Sequence, residues 1–163
     1  MISFDRAGVR FHYRVAAVCI HDGYVLLHRA DRDDYWALPG GRCEIGESSD
    51  ETLRREMEEG LHVTVTVGQL LWVVENFFTL AGMACHELAL LYVIDLPEGH
   101  AFLDKTHPHC GIEDRSTEGK PYTLIYEWVP VTSVPDVILY PAFLRTALQD
   151  IPAVTQHFIQ REP

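Results

Sequence analysis

Charged residues in one predicted helix have the spacing of a cation site. Each residue of an α-helix advances by about 100°, so Glu59 lies roughly 60° from Glu56 on one face, whereas Glu58 points away. Arg55 and Glu59 are four residues apart, which is the spacing of a helical salt bridge. The sequence therefore predicts two carboxylates that converge on one side of a helix, with a guanidinium group beside them.

A glycine-rich turn precedes this helix and brings backbone oxygen atoms to the same region. The run Pro39-Gly40-Gly41 permits a tight turn, because glycine adopts backbone conformations that other residues avoid. Two helix carboxylates and a loop carbonyl form an all-oxygen ligand set, the type that Mg²⁺ prefers. A bound divalent cation would also relieve the repulsion between the carboxylates. A solvated acidic helix face is the alternative that these residues alone leave open.

The segment from Gly41 to Val63 resembles the Nudix box, whose pattern is G-x5-E-x7-R-E-U-x-E-E-x-G-U, with U a bulky aliphatic residue. Gly41 and Glu47 match the first two fixed positions, and Arg55-Glu56 follows after seven further residues. At average residue frequencies, a chance match in such a chain is on the order of one in 10⁴. The remaining matches are Met57, Glu59 and Val63.

The resemblance implies a role for each matched residue. Glu56 is then the main metal ligand, Glu59 a second ligand and the Gly40 carbonyl a third, with Mg²⁺ or Mn²⁺ as the cation. Arg55 and Glu47 orient these carboxylates, and Glu47 lies near the metal. The implied enzyme is a divalent-metal-dependent pyrophosphohydrolase, in which water attacks a phosphorus atom of a nucleoside diphosphate linked to another group. Its partner is a small nucleotide-type substrate.

Two positions depart from the box. Gly60 stands where the second Glu of the pair belongs, and His62 stands where the family has the glycine that ends the helix. We expect this helix to end two residues early, at Gly60, and the site to keep Glu56, Glu59 and Gly40 with weaker metal binding. The alternative is that a carboxylate from outside the box substitutes for the missing Glu. The departures leave a second class of protein open, a Nudix-fold nucleotide-binding or regulatory module with weakened catalysis. The chain carries none of the short substrate signatures sought downstream of the box, so no particular nucleotide is predicted.

The general base of this family varies and often lies outside the box. Glu75, Glu87 and Glu118 are the carboxylates in predicted strands or loops that can reach the site. Glu87 is favoured as a catalytic residue, because it is polar within an otherwise apolar strand. A structural role is the alternative for each of the three.

The order of predicted elements indicates an α+β domain. A helix over Ser48–Glu59 starts with a capping box formed by Ser48 and Glu51. A shorter helix is predicted over Pro141–Gln149, and the tail after about residue 150 is weakly specified. With the resemblance, this order predicts one domain over residues 1–163, an α/β/α sandwich in which both helices pack on a mixed sheet. Strands are predicted over residues 11–21, 24–28, 63–75, 84–96 and 122–131.

The composition excludes several partners. The chain has 163 residues, with 13 Lys and Arg against 24 Asp and Glu, and a formal net charge of −11. Such a surface repels nucleic-acid backbones and anionic lipid, so neither a nucleic-acid polymer nor a membrane is an expected partner. The first residues lack the pattern of a signal peptide, and the four cysteines form no C-x-x-C pair, so we expect a cytoplasmic protein with reduced thiols. The oligomeric state stays open, with a homodimer as one option.

A weaker signal lies in the predicted loop 97–121. His107, His109 and Cys110 fall within four residues and could bind a soft metal. An exposed polar loop is the favoured interpretation, because no second ligand cluster has the spacing of a metal site.

Overall fold

The computed structural model describes residues 1–113 and 122–162. The helices there are α1 (Ser49–Leu61) and the short α2 (Leu144–Ala147), with 3₁₀ turns over Ala101–Leu103 and Val131–Asp136. The strands are β1 (Ser3–Arg6), β2 (Val9–Val18), β3 (Ile20–His21), β4 (Tyr24–Ala30), β5 (Gly40–Arg42), β6 (Thr66–Leu80), β7 (Met83–Asp95), β8 (His109–Glu113), β9 (Tyr122–Pro130) and β10 (Gln156–Arg161).

The strands form two sheets. The larger has the order β1-β2-β7-β6-β10, and β5 pairs with β2 beside β1. It is mixed, because β2 runs parallel to β7 and β6 runs parallel to β10, whereas the other pairs are antiparallel. The smaller sheet has the order β3-β4-β9-β8 and is antiparallel.

The large sheet carries a hydrophobic core on each face. Val15 and Ala17 of β2 pack in one cluster with the buried stripe of α1, which consists of Leu53, Met57 and Leu61. Ala16 and Val18 of β2 face the other way and pack with residues of α2 and the turn before it. Since side chains alternate between the faces of a strand, the helices lie on opposite sides of the sheet. The predicted α+β architecture, with helices packed on a mixed sheet, is confirmed.

The C-terminal region differs from the sequence-based prediction. The helix expected over Pro141–Gln149 is only four residues long, and its neighbours form isolated turns. Leu144 and Leu148 still reach the core, which accounts for the apolar pattern. Beyond them, β10 pairs in parallel with β6 over six residues. The sequence pattern does not predict the strand β10.

Helix α1 begins as predicted but ends later. The backbone N–H of Ser48 donates to the Glu51 carboxylate at 2.8 Å, which caps the first turn. The expected end at Gly60 is wrong, because the helix runs on to Leu61 and places that side chain in the core. His62 then ends it in the left-handed conformation, with φ 53°, and its N–H donates to the Glu58 carbonyl at 3.0 Å. His62 thus takes the backbone conformation for which the box has a glycine.

Within residues 1–113 and 122–162, no helix is long and apolar enough to cross a membrane.

Replacing His62 by Gly should stabilise the protein. The left-handed conformation costs a residue with a Cβ roughly 1 kcal/mol of conformational free energy, and it costs glycine almost nothing. We expect His62→Gly to raise the free energy of unfolding by about 1 kcal/mol, measured by equilibrium urea denaturation. The control is His62→Ala, which removes the imidazole but keeps the Cβ and should give no gain. Equal gains from both variants would assign the effect to loss of the imidazole instead.

Candidate active site

Two glycines of β5 lie close to neighbouring elements, Gly41 to a side chain of α1 and Gly40 to the backbone of β2. An ideal Cβ added to Gly41 would lie 2.1 Å from the carboxyl carbon of Glu56, so the carboxylate rests directly against the Gly41 backbone. A Cβ on Gly40 would lie 2.1 Å from the carbonyl oxygen of Val15 in β2. A side chain at position 41 would displace the Glu56 carboxylate, and one at position 40 would collide with the β2 backbone. The Glu56 side chain is consequently held in place, with 14% of its surface exposed.

The register of β5 against β2 sets the direction of the Gly40 carbonyl. Ala17 N–H donates to the Pro39 carbonyl at 2.8 Å, and Cys43 N–H donates to the Tyr13 carbonyl at 2.9 Å. Hydrogen-bonded and non-hydrogen-bonded pairs alternate along an antiparallel ladder. The Gly40–Ala16 pair is therefore of the non-hydrogen-bonded kind, and the Gly40 carbonyl points away from β2. The Gly40 carbonyl oxygen therefore faces outward, as the ligand role implied by the resemblance requires.

The Arg55 guanidinium group binds three carboxylates. Its Nε and Nη2 donate to Glu47 at 2.9 and 3.0 Å, a two-pronged contact. Its Nη1 donates to Glu56 at 3.1 Å and to Glu59 at 3.3 Å. Both helix carboxylates thus have an oxygen within 3.3 Å of one nitrogen atom. The structure brings together Glu47, Arg55, Glu56 and Glu59 beside the glycine turn.

The charges in this cluster alter one another's proton affinities. The hydrogen bonds from Arg55 hold the pKa of Glu47 below its usual value. The same contacts raise the pKa of Arg55 against the opposing effect of its partial burial, so the guanidinium stays charged. Glu59 is the most exposed of the three carboxylates, at 61%. It is therefore the one most accessible to a ligand from solvent.

The donor atoms suit a hard cation, although their arrangement in the structure centres on Arg55. Carboxylate oxygens from Glu56 and Glu59 and the outward carbonyl of Gly40 are ligands that Mg²⁺ and Mn²⁺ accept. Among the residues that the structure describes, however, no three His, Cys, Asp or Glu side chains are grouped so as to hold a metal ion. The guanidinium group takes the place between the carboxylates.

Glu87 lies on the opposite face of the large sheet from α1. It pairs with His12 across β7 and β2, and Glu87 Oε2 is 2.5 Å from His12 Nε2. Asn76 Nδ2 lies 3.5 Å from the other carboxylate oxygen, and all three side chains are buried. Burial would raise the pKa of Glu87, but the hydrogen bond with His12 and the charge of Arg14 outweigh it and lower the pKa. His12 and Asn76 thus hold the Glu87 carboxylate on the face of the sheet away from the box.

Of the other two candidate bases, the structure describes only Glu75. Glu75 Oε2 lies 2.8 Å from His157 Nε2, an exposed pair that joins β6 to β10. Glu118 lies outside the described residues.

Tyr126 of β9 is a residue near the site that sequence reasoning misses. An ideal Cβ added to Gly60 would lie 2.9 Å from the Tyr126 hydroxyl oxygen. Tyr126 is 3% exposed and reads in the sequence as an ordinary core aromatic. Only the approach of β9 to the end of α1 reveals it, and the glycine at position 60 is the one signal that could have suggested such a neighbour.

Among the described residues, His107, His109 and Cys110 belong to no group of three possible metal ligands. The ring of His109 stacks on Phe102 with centroids 4.3 Å apart, and its Nε2–H donates to the Asp104 carbonyl at 2.8 Å. These contacts hold the His109 ring, at the start of β8, against the preceding 3₁₀ turn. His107, His109 and Cys110 instead line a cavity of about 430 Å³ at the C-terminal end of α1, together with Glu59 and Gly60.

Comparisons with known proteins identify the family of the chain. The family model for the NUDIX domain matches residues 10–146. The CTP pyrophosphohydrolase of Escherichia coli (strain K12) is 31% identical over 99 residues, covering 58% of this chain and 68% of that protein. The putative ADP-ribose pyrophosphatase YjhB of Bacillus subtilis (strain 168) is 34% identical over 62 residues, covering 38% of this chain and only 30% of that protein.

A solved structure supports the fold. The MutT protein from Bacillus halodurans superposes with a TM-score of 0.58 at 19% identity, covering 92% of this chain and 89% of that one. A domain with helices on both faces of a mixed sheet, and with this box on its first helix and the preceding turn, is a Nudix domain. The chain belongs to the Nudix family.

The buried pair of Glu87 and His12 gives a pH-dependent prediction. The folded-state pKa of Glu87 is lowered, so its charge stabilises the fold above the unfolded pKa, and this stability is lost as the pH falls through the folded pKa. We expect Glu87→Gln to lower the free energy of unfolding by about 2 kcal/mol at neutral pH. The difference from the parent protein should shrink in acid, below the usual glutamate pKa.

The matched control is Glu75→Gln, whose exposed pair with His157 should contribute less than about 1 kcal/mol at any pH. Urea denaturation of the parent and both variants across the acid range measures these differences. A loss from Glu87→Gln that is equally large in acid and at neutral pH would contradict the assignment.

Proposed function

We propose that this protein hydrolyses a phosphoanhydride bond in a nucleoside diphosphate linked to another group, with Mg²⁺ or Mn²⁺ bound at the box. The observation that carries the proposal is the convergence of Glu47, Glu56 and Glu59 on Arg55, beside the outward carbonyl of Gly40. Family membership supports the same reaction class, and the two curated relatives are named as a CTP pyrophosphohydrolase and a putative ADP-ribose pyrophosphatase.

Each residue of the cluster has a part in this function. Glu56, Glu59 and the Gly40 carbonyl hold the cation, and Glu56 does so from a fixed position against Gly41. Glu47 fixes the Arg55 guanidinium by its two-pronged contact, and Arg55 in turn positions the two helix carboxylates. When bound, the cation neutralises the diphosphate and lowers the pKa of the attacking water.

The charge of the chain favours a substrate that arrives with a cation. With a net charge of −11, the protein repels an unscreened diphosphate. A divalent ion between the acidic cluster and the phosphates reverses that interaction at short range. A small nucleotide complexed with Mg²⁺ fits this requirement, and the particular nucleotide is left to experiment.

One observation favours a second candidate, a nucleotide-binding module with weakened catalysis. Position 60 lacks the carboxylate of the box, and within residues 1–113 and 122–162 no three acidic, histidine or cysteine side chains form a ready metal site. Fewer charged ligands give weaker cation binding. Such a module would bind nucleotides without releasing product.

The decisive experiment compares two variants of one helix. Glu56→Gln removes a carboxylate charge from the cluster while keeping the shape of the side chain. We expect it to reduce Mg²⁺-dependent product release from a panel of nucleoside diphosphate derivatives by more than about 100-fold, because a metal ligand is lost. Glu58→Gln is the matched control on the exposed, opposite side of α1, and its turnover should stay within about threefold of the parent.

Chelation by EDTA should abolish turnover, and added Mg²⁺ or Mn²⁺ should restore it. Turnover by Glu56→Gln within about threefold of the parent would overturn the assignment of Glu56. Saturable nucleotide binding by the parent with no product from any member of the panel would establish the second candidate.

A further inference from the structure

Both departures from the box line one cavity. The cavity of about 430 Å³ at the C-terminal end of α1 has Gly60 and His62 in its wall. At position 60 the departure removes a carboxylate and its volume, and at position 62 it adds an imidazole. His62 holds the left-handed conformation, with φ 53°, which a glycine would adopt more easily. Backbone strain of this kind is concentrated at functional sites, so the cavity is a candidate binding site.

The cavity adjoins the acidic cluster of Glu47, Glu56 and Glu59 through one side chain. Glu59 lines the cavity, and its carboxylate also lies 3.3 Å from Arg55 Nη1, the atom that donates to Glu56. A substrate whose diphosphate lies at the cluster can therefore extend into the cavity with a group next to its phosphates. The volume falls within the range of roughly 300–1,000 Å³ that small-molecule sites span.

A stack of three rings lines the cavity opposite the helix end. The His107 and His109 rings lie 4.9 Å apart at an angle of 40°, and the His109 ring lies 4.3 Å from Phe102 at 25°. The hydrogen bond from His109 Nε2 to the Asp104 carbonyl holds the middle ring in place. His107, at the end of the stack, has 59% of its side chain exposed. A flat aromatic ligand can extend such a stack, as nucleobases do on aromatic and histidine side chains.

The charges around the cavity favour an uncharged ligand. None of the described residues that line it is a Lys or Arg, and Glu59 contributes a carboxylate. The C-terminal end of a helix carries a partial negative charge, so α1 adds to the repulsion of an anion. A phosphate group is therefore disfavoured in the cavity itself, whereas a nucleobase brings no net charge.

We propose that this cavity binds the nucleobase of the substrate, stacked on His107 and bordered by His62. This inference rests on the proposed function, which places the diphosphate at the acidic cluster. A neutral imidazole has one N–H donor and one acceptor nitrogen, which suit the polar edge of a base. Gly60 leaves the wall beside Glu59 without the second carboxylate that the box would place there. The two departures thus exchange a charged ligand for space and a ring.

The first test uses Cys110 as a reporter that needs no turnover. Cys110 lines the cavity and is exposed, whereas Cys19, Cys43 and Cys85 are buried. Iodoacetamide, a small uncharged reagent, should therefore alkylate Cys110 selectively, and mass spectrometry gives the rate. We expect the 5′-monophosphate of adenosine, guanosine, cytidine or uridine to slow this alkylation about threefold or more, in a saturable manner. Ribose 5-phosphate is the matched control, because it carries the same sugar and phosphate without a base, and it should give no protection.

The second test changes the ring at the end of the stack. His107→Ala should remove the protection of Cys110 and raise KM about tenfold on any substrate that the parent hydrolyses, with kcat within about threefold of the parent. His107→Phe keeps a ring and should restore KM to within about threefold of the parent value. His157→Ala is the matched control, because this histidine of β10 is 57% exposed and lies against Glu75 instead of the cavity. Its KM and its Cys110 protection should equal those of the parent.

Any one of three results would overturn the inference. The first is protection of Cys110 by ribose 5-phosphate or inorganic pyrophosphate that equals the protection by nucleotides, and the second is no protection by any of the four monophosphates. The third is a His107→Ala variant with the KM and the protection of the parent. Each leaves the proposed function intact if Glu56→Gln still abolishes turnover. A parent protein that releases no product, while a monophosphate still protects Cys110, removes the proposed function and keeps the nucleobase site.

Discussion

The contact between the Glu56 carboxylate and the backbone of Gly41 is the constraint on which the site depends. An ideal Cβ at Gly41 would lie 2.1 Å from the carboxyl carbon of Glu56, so the carboxylate occupies the space that a side chain there would need. On a neighbouring side of the same helix, Leu53 and Met57 pack with Val15 of β2 in one core cluster. The same helix thus carries the acidic cluster on one side and part of the core on another.

The acidic cluster concentrates negative charge, and Arg55 compensates for it. Three carboxylates around one point would repel one another strongly without a cation. A planar guanidinium satisfies them with directed hydrogen bonds, which the ammonium of a lysine could not reproduce at the two-pronged contact with Glu47. The free protein is in this sense already arranged around a positive charge. A metal ion entering the cluster competes with an internal cation as well as with water.

The local sequence pattern predicted those parts of the structure that depend only on residues close together along the chain. The start of α1 at Ser48, its buried stripe and the grouping of Arg55 with Glu56 and Glu59 all follow from helical periodicity. The features that the sequence did not predict depend on contacts between segments that are distant along the chain. Leu61 reaches the core and carries the helix past Gly60, which no local cap signal reveals.

Glu87 and the C-terminal strand show the same limit. Polarity within an apolar strand marks Glu87 as unusual, but the pairing of β7 with β2 decides that its partner is His12. The strand β10 has too little apolar patterning to be assigned, because it lies at a sheet edge with much of its surface exposed. Its position depends on the parallel pairing with β6, which joins segments more than 80 residues apart.

Two outer strands of the large sheet come from outside the family-matched residues 10–146, since β1 ends at Arg6 and β10 begins at Gln156. An exposed strand edge is a template for pairing with another chain. The matched part alone would leave the fifteen-residue β6 with its outer hydrogen-bonding groups bare. In the full chain the parallel strand β10 covers six residues of that edge, and Thr155 and Gln156 add side-chain hydrogen bonds at its start. The strand β10 therefore pairs with backbone groups of β6 that a chain cut back to the matched residues would leave bare, although that shorter chain would keep every residue of the acidic cluster.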